Sequence, residues 1–412
     1  MKVLLIATNM ESRMNNRMNA QPLPIGLAYI AGFIDGTRHS VKLLDLMFST
    51  DYEADIRSAV TQYSPDAVGI SLRNLSNHSF IDTRWALPIT KNVIEIIKND
   101  RNIPVIIGGP GFSTMPVLCF NFVGADYGLV GDSGEAFNNL ITDLQNKTFE
   151  GAAYSGIVYR DHGEVMYDGR SCTSSFSPRP YYEGLDLDAY NAAGFGIGVV
   201  TKLTSWQYSE GDLRVFKSPS DILSELRDLS KLNNFKKVFF IDNAFNVPGE
   251  PAKNLCEELI RENLGIHWST VLSPGNPDSE LIALMKRAGC VFTLITATDY
   301  RDVGPGSIYD ICRNNAVGFG VNVGFGGRGE TQETVNEKIT FLNKADATIS
   351  YLRYGVSVMP GSPEARAMIE NRSISSEDEL VKPHFYVDPQ VDGWLLPTLE
   401  RACSTNPKWN LT

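Results

Sequence analysis

The 412-residue sequence has no pair of cysteines spaced C-x-x-C. Its six cysteines (Cys119, Cys172, Cys256, Cys290, Cys312 and Cys403) are scattered along the chain. There are five histidines in all, and no closely spaced Cys/His set exists to hold a structural zinc or an iron–sulfur cluster. No metal ligand is therefore assigned. Scattered thiols of this kind are those of a reduced, cytoplasmic protein. Long apolar runs are missing too, and none approaches the roughly 18 residues of a membrane span. The apolar opening, residues 1–8, is followed at once by Asn9, Glu11 and Arg13, so it reads as a strand and not as a signal peptide. Positive charge is in short supply: 37 Lys and Arg against 48 Asp and Glu give a net charge of −11 and a pI near 5.1. That balance excludes the basic footprint of a nucleic-acid binder. Low-complexity tracts and repeats of solenoid length are also absent. What remains has the composition of an ordinary soluble globular protein, 43% hydrophobic and 21% charged, long enough for two or three domains.

The apolar runs at 3–7, 41–46, 67–72, 105–109 and 127–131 alternate with helix-patterned stretches at 25–34, 53–63, 80–99, 116–122 and 133–146. Strands that alternate with helices imply a parallel sheet covered on both faces. The spacing fits a doubly wound, flavodoxin-like (Rossmann-type) domain over residues 1–150. Residues 151–194 change character. Two short runs flank Asp161-His162-Gly163, a hairpin signal, and the polar stretch 172–180 reads as a linker. Alternation resumes at 196, with apolar runs at 196–201, 237–241, 266–271, 291–296, 318–325 and 349–358. Helical patterns lie near 219–232, 251–263, 278–288, 307–314, 331–343 and 363–370. Six β/α units predict a partial TIM-like barrel over 195–372, and the extension 373–412 reads as irregular. His267, within the third strand of this series, reads as a core histidine rather than a base.

Several first-domain segments stand where strands end and helices begin. They are Pro22-Leu23-Pro24-Ile25-Gly26, Ser71-Leu72-Arg73-Asn74, Gly108-Gly109-Pro110-Gly111 and Gly131-Asp132-Ser133-Gly134-Glu135. Taken in order, they resemble the cobalamin-binding domain that precedes many radical S-adenosylmethionine (SAM) enzymes. The resemblance implies that cobalamin rests on the sheet's carboxyl edge, with Leu23, Gly26, Ser71, Leu72, Arg73, Asn74, Gly108, Gly109, Pro110, Gly111, Gly131, Asp132, Ser133 and Glu135 around it. Glycines let the backbone approach a flat ligand, and helix N-termini offer N–H groups. The D-x-H-x-x-G motif, whose histidine ligates cobalt in many cobalamin proteins, is absent, since neither His39 nor His78 has that spacing. The resemblance is thus to the branch that holds cobalamin base-off, with no protein histidine on cobalt. Arg73 is a candidate for the cofactor's lower face, and equally a salt-bridged surface residue.

The second series resembles the radical SAM partial barrel. Phe239 to Asn246, with Asp242 and Asn243, is similar to the family's second-strand segment near SAM. Gly326-Gly327-Arg328-Gly329-Glu330 is similar to its glycine motif, which implies a SAM site at Asn243, Gly326 and Gly327. The resemblance fails at one place. The family's C-x-x-x-C-x-x-C, whose thiolates hold a [4Fe–4S] cluster, follows Thr-Lys at the first strand's end. Here Thr201-Lys202 is followed by Leu203-Thr204-Ser205-Trp206-Gln207-Tyr208-Ser209-Glu210-Gly211, with no cysteine. The chain looks like a degenerate member without the cluster, for which reductive SAM cleavage is closed.

Three acids are catalytic candidates: Asp242 and Asp299 at strand ends, and Glu210 as a general base in the altered loop. Asp299 reads equally as an N-cap. Two functions stay open. One is a cobalamin-dependent enzyme of specialised-metabolite biosynthesis, carrying out polar methyl transfer through methylcobalamin to a small molecule, or cobalt chemistry without SAM. The other is a cobalamin-binding pseudoenzyme that partners a catalytic relative. A reductant or catalytic partner protein is expected, and neither nucleic acid nor a membrane.

Overall fold

The computed structural model describes residues 1–10, 21–174, 179–194, 196–203, 215–233, 235–275, 277–301 and 303–412. Strands β1 (Lys2–Ala7), β2 (Ser40–Asp45), β3 (Ala67–Ser71), β4 (Val105–Gly108) and β5 (Tyr127–Leu129) form a parallel sheet in the order β2-β1-β3-β4-β5. This is the flavodoxin-like order that the alternation implies. Alternate residues of a strand face opposite sides, and both sides are buried here. Leu4, Ile6, Val68 and Ile70 pack with Ile94, Ile97 and Phe112, whereas Val3 and Leu5 pack with Leu27, Phe137 and Leu140. The helix Tyr52–Tyr63 starts where Asp51 accepts from the Ala54 N–H, with Glu53 and Asp55 in its first turn.

The hairpin expected around residue 162 is present as β6 (Ile157–Asp161) and β7 (Glu164–Tyr167). It is the antiparallel edge of the first sheet, with β6 paired to β5 through Gly128↔Val158. The stretch after it does not begin as a free linker. The Cys172 N–H donates to the Val130 carbonyl at 2.7 Å, and the Cys172 carbonyl accepts from Asp132 at 3.2 Å. Backbone groups just past the end of β5 have left the strand ladder, and Cys172 satisfies them.

The second series opens with β8 (Ile197–Val199), followed by a short antiparallel ribbon, β9 (Lys202–Leu203) with β10 (Val215–Phe216). Then come β11 (Lys237–Phe240), β12 (His267–Leu272), β13 (Cys290–Thr296), β14 (Gly318–Phe325) and β15 (Ile349–Tyr354). A second ribbon joins β16 (Val356–Ser357) to β17 (Phe385–Tyr386), and β18 (Trp409–Leu411) ends the series. The large sheet is parallel throughout, in the order β8-β11-β12-β13-β14-β15-β18. It stays open, and its end strands do not pair with each other among the described residues. The tail departs from the irregular chain expected of it. It contains the helix Asp392–Thr405 and supplies the seventh strand, β18, beside β15. Pro397 inside that helix breaks the local sequence signal. His267 also differs from expectation, since it is exposed at the start of β12 while Trp268 beside it is buried.

The two series share packing. Leu23 and Met47 of the first belong to the same buried cluster as Ile197, Val199 and Phe240 of the second. Ile374 and Leu380 of the tail pack with the first domain's Ile94 and Phe120. At the junction Lys217 bonds both the Glu225 carboxylate and the Tyr29 hydroxyl, and Tyr182 donates to the other oxygen of Glu225. No described helix is long and apolar enough to cross a membrane.

Five of the six thiols are buried, and Cys403 is half-buried. Burial pushes Cys119 and Cys256 up to about 12 and Cys172 and Cys312 up to about 11, and it raises Cys290 as well. A thiol reagent at pH 8 should therefore titrate at most one cysteine in the native protein and the remainder only on unfolding. Fast reaction of a second native thiol would contradict this packing.

Candidate functional site

Carboxyl ends of parallel strands at a change of strand order form the ligand crevice of open α/β sheets. Here that point lies between β1 and β3, and a cleft of about 240 Å³ opens there. Its walls are apolar (Leu5, Ile25, Ile30, Phe33, Ile107, Phe137), and its rim carries the strand-end glycines. Val200, from the end of β8, closes it from the second series.

Eight residues expected around the cofactor line this cleft: Gly26, Ser71, Gly108, Gly109, Pro110, Gly131, Asp132 and Ser133. Two of the glycines are required by the backbone. Gly109 has φ +97°, with the Leu72 carbonyl 2.8 Å from where a Cβ would stand. Gly131 has φ +86°, with the Ser171 Cβ equally close. Gly26 differs, because a Cβ there would meet nothing within 4 Å. Its missing side chain leaves room at the cleft. The Ser71 and Ser133 hydroxyls have no hydrogen-bond partner among the described residues.

The other six stand behind this surface. Leu72 is buried, and the Gly111 N–H donates to both the Leu72 and Arg73 carbonyls at 2.9 Å. The Asn74 amide closes on its neighbour, donating to the Arg73 carbonyl and accepting from the Arg73 guanidinium. Glu135 donates its N–H to the Ser174 hydroxyl at 3.4 Å. Leu23 faces the second sheet, 3.8 Å from where a Cβ on Gly198 would lie. Neither histidine discussed above borders the cleft. His39 is bonded to the Thr142 hydroxyl at 2.9 Å at the amino end of β2, and His78 to Ser357 at 3.0 Å.

In the second series, Asp242 is 5% exposed and accepts a hydrogen bond from Thr201 on one carboxylate oxygen, while the other oxygen, Oδ1, is buried without a partner. Burial raises its pKa, opposed by the Lys202 cation and the Thr201 hydroxyl. Lys202 itself donates to the Ala244 and Val247 carbonyls at 2.5 and 2.8 Å. The sequence offered Thr201-Lys202 only as a family landmark. The structure makes the pair the immediate partners of Asp242. Asp299 is not gathered with them, because it is exposed and accepts the Arg301 N–H at 3.0 Å in a local turn. Gly326 spends its N–H on Glu330 at 2.5 Å, while Gly327 next to it is half-buried and Asn243 is exposed. Glu210 lies outside the described residues.

An apolar-walled crevice at the switch point, closed by Val200 of a second parallel α/β sheet, defines the class as a two-domain α/β protein with a cleft at the domain junction. Residues 17–141 match the family model of the B12 binding domain. An uncharacterized methyltransferase of Pyrococcus horikoshii is 26% identical over 391 residues, covering 88% of this chain and 82% of that protein. The tryptophan 2-C-methyltransferase of Streptomyces laurentii is 22% identical, covering 86% and 73%. Among solved structures, the radical SAM methyltransferase TsrM from Kitasatospora setae, with tryptophan and a SAM analogue bound, superposes with a TM-score of 0.82 at 18% identity, covering 100% of this chain and 91% of TsrM. A second TsrM structure, holding cobalamin and a [4Fe–4S] cluster, gives 0.81. Residues 17–141 are thus similar to the B12 binding domain, and the chain as a whole has the fold seen in TsrM.

A carboxyl whose pKa is higher folded than unfolded binds its proton more tightly in the native state. Its contribution to stability therefore falls as pH rises from about 4 through the folded value. Asp242→Asn removes that dependence. The variant should melt above wild type at pH 8, with the gap closing toward pH 4. Thermal unfolding across that range checks it, and a gap independent of pH would count against the assignment.

Proposed function

We propose that the protein is a cobalamin-dependent methyltransferase acting on a small molecule in specialised-metabolite biosynthesis, with SAM as methyl donor and without a [4Fe–4S] cluster. The observation that carries the reading is the cleft at the switch point, with an open Gly26 and two unpartnered hydroxyls inside a segment matching the B12 binding domain. Similarity to two proteins named as methyltransferases supports the reaction class.

When bound, cobalamin supplies a cobalt centre that can carry a methyl group between donor and acceptor. The residues of this chain have three tasks around it. The glycines at 26, 108, 109 and 131 admit the cofactor against the backbone, while Ser71 and Ser133 offer hydroxyls to its polar groups. No histidine borders the cleft, which supports a base-off cofactor without a protein ligand on cobalt. The unpartnered oxygen of Asp242 is placed to accept a hydrogen bond from a bound amine, and Thr201 fixes the carboxylate's orientation. The apolar wall excludes water from the crevice.

Loss of the cluster rests on the sequence. Residues 203–211 contain no cysteine, and the buried thiols at 256, 290 and 312 are held protonated by their surroundings. Protein reconstituted with hydroxocobalamin should retain corrin absorption and contain no stoichiometric iron or sulfide. With SAM and a strong reductant it should then take up a labelled methyl group. Retained iron and sulfide would refute the cluster-free assignment, and failure to retain corrin would refute the cobalamin reading itself.

A further inference from the structure

Strand register sets four polar side chains in one line across the second sheet. Thr296 of β13 pairs with Asn322 of β14, Asn322 with Tyr351 of β15, and Tyr351 with Asn410 of β18. In-register neighbours of a parallel sheet share a face. The opposite face is the helix-covered core, where Ile295, Val321, Val323 and Leu352 are fully buried. The polar line is therefore on the face turned to the first domain. Two residues further along β15, on that same face, Arg353 donates to the carbonyl of His78 from the first domain at 3.2 Å. Beside it, a Cβ on Gly324 would meet nothing within 4 Å, so space is open next to the line.

Two members of the line are unsatisfied. Asn322 Oδ1 and Asn410 Nδ2 are buried without a hydrogen-bond partner. Tyr351 is 6% exposed, burial raises its pKa to about 12, and its hydroxyl has no partner among the described residues. An unpaired buried amide is costly, and a folded protein keeps one where something else completes it. None of the four side chains carries charge, and an ion set against neutral groups away from water is disfavoured.

We propose that Asn322, Tyr351 and Asn410 bind the polar edge of the methyl acceptor, and that this acceptor is a flat, uncharged molecule presenting an amide-type N–H and C=O side by side. The inference rests on the methyltransferase reading only for the word acceptor. The binding site itself is argued from the sheet. The apolar Phe292 and Leu294, on the same face of β13, would take the ring of such a molecule.

The test uses the full chain and two probes of matched shape: oxindole, which carries the edge, and indane, which lacks it. Ligand-observed NMR should show oxindole bound to wild type, and about tenfold weaker binding in Asn322→Leu and in Asn410→Leu. Indane should bind both variants as it binds wild type. Because leucine removes an unpaired polar atom at nearly constant volume, each variant should melt no lower than wild type. Equal binding of the two probes to wild type, no binding of oxindole, or a lowered melting temperature in both variants would overturn the proposal. Corrin retention measured on the same samples separates the readings. Its loss from wild type would remove the cobalamin assignment while the probe result still decides the site.

Discussion

The buried pair of Lys217 and Glu225 is the contact on which the arrangement of the two domains turns. Their side chains are almost fully removed from water, and such a pair is tolerable only with its remaining hydrogen-bonding capacity satisfied. Two tyrosines satisfy it, each from a different part of the chain. Tyr29 belongs to the helix that walls the cleft, and Tyr182 to the segment joining the domains. Lys217 leaves the short ribbon that follows the altered loop, and Glu225 projects from the first helix of the second series. One ionic contact therefore ties together the helix that walls the cleft, the connection and the start of the second series. Removing either charge would strand the other in a low-dielectric junction.

Around that junction the sites divide by chemistry. The first sheet contributes a mostly apolar crevice whose polar lining is strand-end backbone, the hydroxyls of Ser71, Ser133 and Tyr29, and the Asp132 carboxylate. The second contributes a buried carboxylate at Asp242, with one oxygen held by Thr201 and the other unpartnered, and a neutral polar line from Thr296 to Asn410. The glycine loop at 326–330 is largely self-contained. Glu330 takes the Gly326 N–H and pairs with Lys338, and Asp388 takes the Gly329 N–H at 2.7 Å. A loop so satisfied provides shape more than free donors.

Much of the framework was legible from periodicity, because most parallel strands are largely apolar runs and most of the longer helices are amphipathic. Glycine segments at strand ends marked the cleft for the same local reason. What could not be read depended on partners distant in sequence. The hairpin at 157–167 announces its turn but not that it pairs with β5. The strand at 409–411 is three residues long, preceded by a helix that contains Pro397, and only β15 makes it a strand. Asp299 carries the residue type of a catalytic acid, yet its nearest donor is its own chain two residues on. The line from Thr296 to Asn410 exists only through register, since its members are separated by 26, 29 and 59 positions.

That last separation bears on how the molecule is assembled in time. The other neighbouring pairs in the second sheet are joined through one helix, with a short ribbon added between β8 and β11, so those contacts close shorter loops and can form earlier. The pairing of β18 with β15 spans the helices Pro363–Glu370 and Asp392–Thr405 and the β16–β17 ribbon, which must fall into place first. The edge strand that carries Asn410 is thus the natural last step of folding and the first to open in the native ensemble. Amide exchange would show this as weaker protection at residues 409–411 than at Val321 or Leu352. One end of the polar line would then form and dissolve with the least stable unit of the domain.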